Sequence, residues 1–372
     1  MMNQEWNIEE ELTLDGIEGI DDLPEVIPQA PPQFEQKDIM AEGYEPFFKT
    51  KMLKTIEEVD EYSWKRGEMG GMDWGFEKFN KAFEGLNTGV HLIAGASNIG
   101  KSGIMMQIGW QIAQNNKEVS EQKPKKAFVV YFSLDDSNNE LLPRLVAIDQ
   151  KIPINAVRFP KKYQDNKHYM DRREIGFENL KNSVMHIHMM DVNEGSDIEH
   201  IEETTERYAT ELAKVDEDYQ IVVMIDNFHD ITVRDMRAGA DDKSKYDYIA
   251  DQLSRIAAKF DAPIICTAEF RKLNGNKRPG LDDIRESVKI VYEAKAIILC
   301  YNEVGLRGQQ AQIYWLDESK GDEKQPVYEM QVGKNKFSSF KGRMYCEFFP
   351  EMSYFRESTD AGASQYSQMI SG

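Results

Sequence analysis

Five short runs of nearly unbroken apolar residues are spaced along the middle of the chain: VHLIA from residue 90, AFVVYFS from 127, QIVVMID from 220, PIICTAE from 263 and AIILCYN from 296. Runs of this length, rich in β-branched and aromatic side chains, predict strands. Strands apolar on both faces belong to a parallel sheet covered by helices on each side. The intervening stretches carry helical spacing over residues 101–115 and 246–260. Ser137 with Glu140 fits a capping box at one helix start, and Ser196 with Glu199 fits another for a helix running to about Val215. Beyond residue 311 the pattern changes to short alternating runs, AQIYWL, VYEMQVG and RMYCEFF, which predict antiparallel strands. The fold class is α/β: a parallel central sheet flanked by helices and extended by antiparallel strands at its C-terminal end.

The flanks read differently. Residues 1–43 hold twelve acids against Lys37 alone, with PEVIPQAPPQ among them, and so predict a flexible tail that docks a basic partner. In residues 44–70, Phe48, Met52, Ile56, Val59 and Tyr62 fall near helical spacing before a break at Gly70 and Gly71. This predicts a linker helix that packs on a neighbour, its own core or another subunit. The main domain is expected over 71–356, and residues 357–372 read as a polar, flexible tail.

The formal charge of −20 argues against binding nucleic acid by bulk attraction, but −11 of it sits in residues 1–43. The remaining body is mildly acidic and leaves room for a local basic groove. No apolar run approaches the ~20 residues that span a bilayer. No basic segment leads into an apolar one at the N-terminus, so no secretory signal is predicted. Cys266, Cys300 and Cys346 are widely spaced and odd in number, which predicts reduced core cysteines in a cytoplasmic protein. His186 and His188 share one face of a strand near His200; packed histidines are the expectation there, and the eighteen methionines read mostly as core fillers.

The chemistry starts where the first strand meets the first helix. Gly95, Ala96, Ser97, Asn98, Ile99, Gly100, Lys101 and Ser102 fit G-x-x-x-x-G-K-[ST], with the strand before and the helix after that give the pattern its meaning. Glycines let backbone N–H groups converge on a polyphosphate, and the helix N-terminus adds its dipole. Lys101 supplies charge to the β and γ oxygens, and the Ser102 hydroxyl suits Mg²⁺. Asp226 closes a buried parallel strand, at the end where open α/β sheets bind ligands, and can hold Mg²⁺ through water. Asp135 and Asp136 follow another such strand; one of them can polarise an attacking water, although paired acids at a strand end also serve as turns or caps.

From about residue 75 to 355 the chain resembles the RecA-type motor domain of DnaB-like replicative DNA helicases. GFEKFNKAFEGLNTGVHLIAGASNIGKS is similar to that family's entry segment and phosphate loop, and VVYFSLDDSNNELLPRLVA to its strand with the catalytic acid. IVVMIDNFHDI and IAAKFDAPIICTAEFRK resemble its Walker B and sensor strands. RPGLDDIRESVKIVYEAKAIILCYNE is similar to its pore-facing Leu-Arg-Glu-Ser segment, and VGKNKFSSFKG lies where the family places a Lys-x-Arg finger. The resemblance covers roughly three-quarters of the chain through six ordered motifs.

It implies a RecA-like P-loop core that binds ATP and Mg²⁺, with Lys101 and Ser102 on phosphate and metal and Asp226 as the Walker B acid. It further implies Asp135 on the attacking water, Glu269 in the sensor position, and Lys334 and Lys336 acting on the neighbouring subunit's γ-phosphate. Arg285 and Glu286, with Arg234 and Arg237 from the loop after Asp226, would line the DNA path. The implied assembly is a homo-oligomeric, hexameric ring translocating on single-stranded DNA in replication, in a bacterial or phage version without the family's helical N-terminal domain. Primase, loader or polymerase would dock on the acidic tail.

Four departures bear on rate. Asp135 is one methylene shorter than the family's catalytic Glu. Lys336 lacks the planar fork of the finger Arg. Glu269 puts a charge where the sensor Gln is neutral, and Val288 replaces a pore-segment Gly. These favour an alternative, a slow RecA- or RadA-like ATPase that acts as a DNA-binding recombination or replication accessory; the zinc-binding cysteines of RadA-type relatives are missing from this sequence.

Overall fold

The computed structural model describes residues 46–65, 67, 69–234, 241–271, 277–285 and 288–371. The chain divides into two units, residues 1–59 and 60–372. In the first, the described part is the opening of helix α1, Phe47–Lys65. Its apolar positions Phe47, Phe48, Met52, Ile56 and Val59 are all exposed, and it buries no residue.

The second unit continues with α2 (Glu77–Phe83), β1 (Gly89–Gly95), α3 (Lys101–Asn115), β2 (Lys126–Ser133), α4 (Asn138–Gln150), α5 (Ile154–Arg158), α6 (Lys167–Lys181), β3 (Ile187–Met190), α7 (Ile198–Val215) and β4 (Tyr219–Asp226). Then come α8 (Asp242–Lys259), β5 (Pro263–Glu269), α9 (Val288–Glu293), β6 (Ala296–Asn302), α10 (Glu303–Arg307), β7 (Tyr314–Leu316), β8 (Lys324–Asn335), β9 (Arg343–Phe349), β10 (Tyr354–Glu357) and α11 (Asp360–Ser371). The sheet runs β10-β9-β8-β6-β1-β5-β4-β2-β3, with β7 paired to β8 alone. β3, β2, β4, β5, β1 and β6 are mutually parallel; β8, β9 and β10 extend the sheet antiparallel.

The unbroken apolar runs follow from burial on both faces. Along β4, Val222 and Met224 point into a core shared with Trp74, Ile104 and Tyr131. The alternate residues Ile221, Val223 and Ile225 point into a second core with Ile249, Leu253 and Ile264. Side chains alternate along a strand, so both parities must be apolar when helices lie above and below. Gly109 of α3 lies under Met224, where an added Cβ would come within 2.8 Å of its sulfur. Among the described residues no helix is long and apolar enough to cross a membrane.

Several local expectations shift. Helix α4 starts after Ser137 as predicted, but the Ser137 side chain makes no cap hydrogen bond. Helix α7 is capped by Asp197, whose carboxylate accepts from the His200 N–H, while Ser196 bonds Thr232 instead. The S-x-x-E spacing was offset by one residue because a carboxylate beside it is the stronger acceptor. Residues 357–372, expected as a flexible tail, instead finish β10 and form α11. The correction has a packing cause: Tyr366 is buried against Tyr345, ring centroids 5.7 Å apart, and the Tyr345 hydroxyl bonds Ser367. One buried aromatic suffices to seat a short amphipathic helix whose composition is otherwise polar. All three cysteines are buried and free, and burial raises each thiol's pKa, that of Cys300 to about 12.

Candidate active site

Because the central strands are parallel, their C-terminal ends lie along one edge of the sheet. Gly95, Ser133, Asp226, Glu269 and Asn302 all end there, with Gly95 level with Glu269 and Ser133 level with Asp226. The loop from Gly95 to Ser102 turns over that edge. Asn98 and Gly100 hold left-handed backbone, φ 61° and 107°, which lets the chain double back before α3. A Cβ on Gly95 would stand 2.6 Å from Ile99 Cδ1, so a side chain there is excluded. Asn302 Nδ2 donates to the Ile99 carbonyl at 3.2 Å and ties the loop to β6.

Lys101 folds back under the loop. Its Nζ donates to the Ala96 carbonyl at 2.8 Å and lies 3.8 Å from Glu269 Oε1, and the side chain is only 8% exposed. Burial lowers the ammonium pKa, opposed by Glu269 and Asp226. Glu269 is shared, since Arg285 Nη1 lies 3.9 Å from its other oxygen. Asp226 is fixed from two sides: Thr267 Oγ1 donates to Oδ1 at 2.5 Å and the buried Tyr131 hydroxyl to Oδ2 at 3.2 Å.

The two acids after β2 separate by role. Asp136 is engaged locally, its carboxylate 3.1 Å from Arg144 and its N–H donating to Ser133 Oγ. Asp135 is exposed at the same strand end. Two titratable groups that sequence reasoning passed over join the cluster. Asp230 has its pKa raised by burial and then by Asp135, Glu269 and Asp226, which places four carboxylates within electrostatic reach of one another. His229 Nδ1 accepts from the Glu269 N–H at 3.3 Å, so the neutral ring carries its proton on Nε2, facing the Arg285 carbonyl at 3.2 Å. The available signal was DNFHD itself: three titratable groups within five residues of a buried strand's C-terminal end.

These residues fit a triphosphate with Mg²⁺. A buried ammonium lies against the loop, left-handed backbone opens a cradle, and the first-turn N–H groups of α3 lack intrahelical partners. Ser102 at the head of α3 and Asp226 at the end of β4 offer the oxygen ligands such a metal takes.

Lys334 and Lys336 lie elsewhere. β8 runs antiparallel to β6, with Lys334 opposite Ile297 and Asn335 opposite Ala296, level with the start of β1. Gly95 is four residues further along β1 from that level, about 13 Å at 3.3 Å per residue. The finger residues therefore occupy the edge opposite the phosphate loop. Phe337 stacks on buried His91 at 5.4 Å, and Asn335 Oδ1 accepts from the Phe337 and Ser338 N–H groups, fixing the turn. Lys336 is exposed; Lys334 Nζ donates to the Val291 and Tyr292 carbonyls. Of the expected DNA-path residues, Arg285 is half-exposed beside Glu269, and Arg234 is engaged by Asp197 and Glu203 of the α7 region. Arg237 and Glu286 lie outside the described residues. His188, one of the histidines weighed for a metal, bonds the Tyr208 hydroxyl at 2.6 Å.

The model of the DnaB-like helicase C-terminal domain matches residues 71–357. A probable replicative DNA helicase of Trieres chinensis is 21% identical over 279 residues, covering 74% of this chain and 55% of the relative, so the chain spans about half the length of that curated protein. Among solved structures, an ATPase domain of another DnaB-like helicase, solved on its own, superposes with a TM-score of 0.66 at 18% identity, covering 85% of this chain and all of that one. A DnaB-like replicative helicase, solved in a study of its interactions with primase, gives a TM-score of 0.65 at 18% identity, with 85% and 68% covered. At these identities the superpositions establish the fold.

Proposed function

The chain belongs to the DnaB-like helicase C-terminal domain family, and on that premise we propose that it is an ATP-driven motor whose sites form between subunits of a ring threaded by single-stranded DNA. The observation that carries this reading is the division of the site's charges. Lys101, Asp226 and Glu269 stand at one edge of the sheet, and the exposed Lys336 stands at the other. A copy placed head to tail brings the second edge to the first, which is the heterologous contact that closes into rings.

The chemistry is phosphoryl transfer to water. The loop N–H groups and Lys101 hold the β and γ oxygens, and Asp135 accepts the proton of the water that attacks phosphorus as the bond to the ADP oxygen breaks. Mg²⁺, held by Ser102 and through water by Asp226, neutralises charge that builds on the phosphate oxygens. Lys336 of the adjacent subunit supplies the remaining positive charge in trans. Helix α1, with its exposed apolar positions, packs on a neighbouring subunit, and Arg285 faces the DNA. Primase or a loader would be recruited through the acidic segment 1–43.

The second reading, a slow nucleotide-gated accessory, is favoured by one observation: Glu269 already sits 3.8 Å from Lys101, where it competes with a γ-phosphate for the ammonium. Both readings are separated by mixing variants. Lys101→Ala and Lys336→Ala should each abolish DNA-stimulated ATPase alone. Mixed in equal amounts, they should recover about a quarter of wild-type activity, because one interface in four then pairs an intact loop with an intact finger. No recovery on mixing, or a wild-type protein that stays monomeric with ATP analogue and single-stranded DNA, defeats the shared-site proposal.

A further inference from the structure

Helix α9 begins directly after the Arg285–Glu286–Ser287 segment and has little to hold it. It runs six residues and buries only Ile290, while Val288 and Tyr292 are 61% and 72% exposed. Two side-chain contacts tie it to α8: Lys289 with Asp251, and Glu293 accepting from Ser254. Its C-terminus is a specific problem. The Ile290 carbonyl accepts from Ala294 N–H at 2.9 Å, but a helix leaves its last carbonyls without intrahelical partners. Lys334 solves it. From β8, 42 or more residues away in sequence, its ammonium donates to Val291 O and to Tyr292 O, each at 2.7 Å. A cation at this end also meets the negative pole of the helix.

The same ammonium stands two residues from Lys336 on the edge assigned to the neighbouring triphosphate, and close enough to Lys336 that the two charges repel. One lysine therefore faces two acceptors: the carbonyls of its own α9 and the phosphate of the adjacent subunit. We propose that Lys334 is a positioning residue that clamps α9, and with it the DNA-facing segment beginning at Arg285, and that a triphosphate bound by the neighbour draws the ammonium away and releases that segment. The clamp stands on this subunit's contacts alone; the release rests on the shared-site reading above. Two neutral carbonyls cannot hold an ammonium against a fully ionised triphosphate at equal distance, which gives the exchange its direction. The outcome is that ATP in one subunit sets the freedom of the DNA-contacting segment in the next.

The test is hydrogen–deuterium exchange of the full chain, read in peptides covering residues 288–295. Without nucleotide, Lys334→Met keeps the stem and removes the donors, and should speed α9 exchange about tenfold relative to wild type, the loss of two charge-assisted hydrogen bonds. Lys334→Arg, which keeps donors, should restore most of the protection. Unchanged exchange in Lys334→Met overturns the clamp, whether or not the protein forms rings. In wild type assembled with a non-hydrolysable ATP analogue, α9 exchange should rise toward the Lys334→Met level, while nucleotide should leave Lys334→Met itself unaltered. Persistent protection of wild-type α9 in the assembled, nucleotide-bound protein overturns the release. Failure to assemble at all, by contrast, defeats the shared site and leaves the clamp result standing.

Discussion

Replacing Glu269 with glutamine should tighten triphosphate binding, and the structure sets the scale. Glu269 Oε1 lies 3.8 Å from Lys101 Nζ. A pair of unit charges at that separation attracts by roughly 4 kcal/mol at an effective dielectric of about 20. The carboxylate side chain is 28% exposed and is shared with Arg285, so water and the second cation screen part of this. A net of about 1–2 kcal/mol is left, equivalent to a five- to thirtyfold change in an equilibrium constant. A γ-phosphate arriving beside Lys101 must overcome that attraction and the repulsion of a like charge. The neutral amide removes both and keeps a side chain able to bond the phosphate. The assay is isothermal titration with a non-hydrolysable ATP analogue and Mg²⁺, with ADP as the control. The analogue should bind five- to thirtyfold more tightly to Glu269→Gln, and ADP, which lacks the γ-phosphate, should change little.

A linked effect runs with pH. Lys101 is buried and its folded pKa is lowered below 10.5, so the nucleotide-free protein carries a charging penalty that fades as pH rises through the lowered value toward 10.5. Removing Glu269 takes away the largest opposing influence, lowers that pKa further, and should make the stability of the nucleotide-free variant climb more steeply with pH than wild type. Analogue affinity unchanged or weaker in Glu269→Gln refutes the reasoning, since the carboxylate would then be no competitor for Lys101.

Two further substitutions probe neighbouring parts of the molecule. Asp135→Glu extends an exposed carboxylate by one methylene toward the water it would orient, and should raise steady-state ATP turnover by at least several-fold with little change in analogue affinity; equal or lower turnover removes Asp135 from that role. Arg278→Met strips Glu329, 3% exposed, of a bidentate partner whose Nε and Nη2 bond both carboxylate oxygens at 2.9 and 2.8 Å. Urea unfolding should show a loss of about 3–5 kcal/mol, most of it recovered in Arg278→Met/Glu329→Gln, and a double variant as unstable as the single one would contradict the charge-burial argument.

Local rules carried the sequence reading a long way. The eight residues from Gly95 to Ser102 are contiguous, so the strand, the turn and the helix that cradle a phosphate were legible together. Asp135, Asp226 and Glu269 each close an apolar run, and a parallel sheet brings such ends to one edge whatever the strand order. Where neighbours one residue apart compete, as Ser196 and Asp197 do for the α7 cap, spacing alone picked the wrong one. Helix α11 escaped because its single buried anchor, Tyr366, has meaning only once β9 lies beneath it.

The sequence by itself determined the elements, the phosphate loop and the family, because these rest on periodicity and on residues adjacent in the chain. Only the tertiary structure decided which partners those residues meet. Lys334 reaches α9, Arg278 reaches Glu329 from 51 positions away, and His229 bridges the end of β5 to Arg285. Each depends on the order β8-β6-β1-β5-β4, which places distant segments side by side. Hydrogen bonds and ion pairs act over a few ångströms, and a linear pattern holds no record of which segments will come that close.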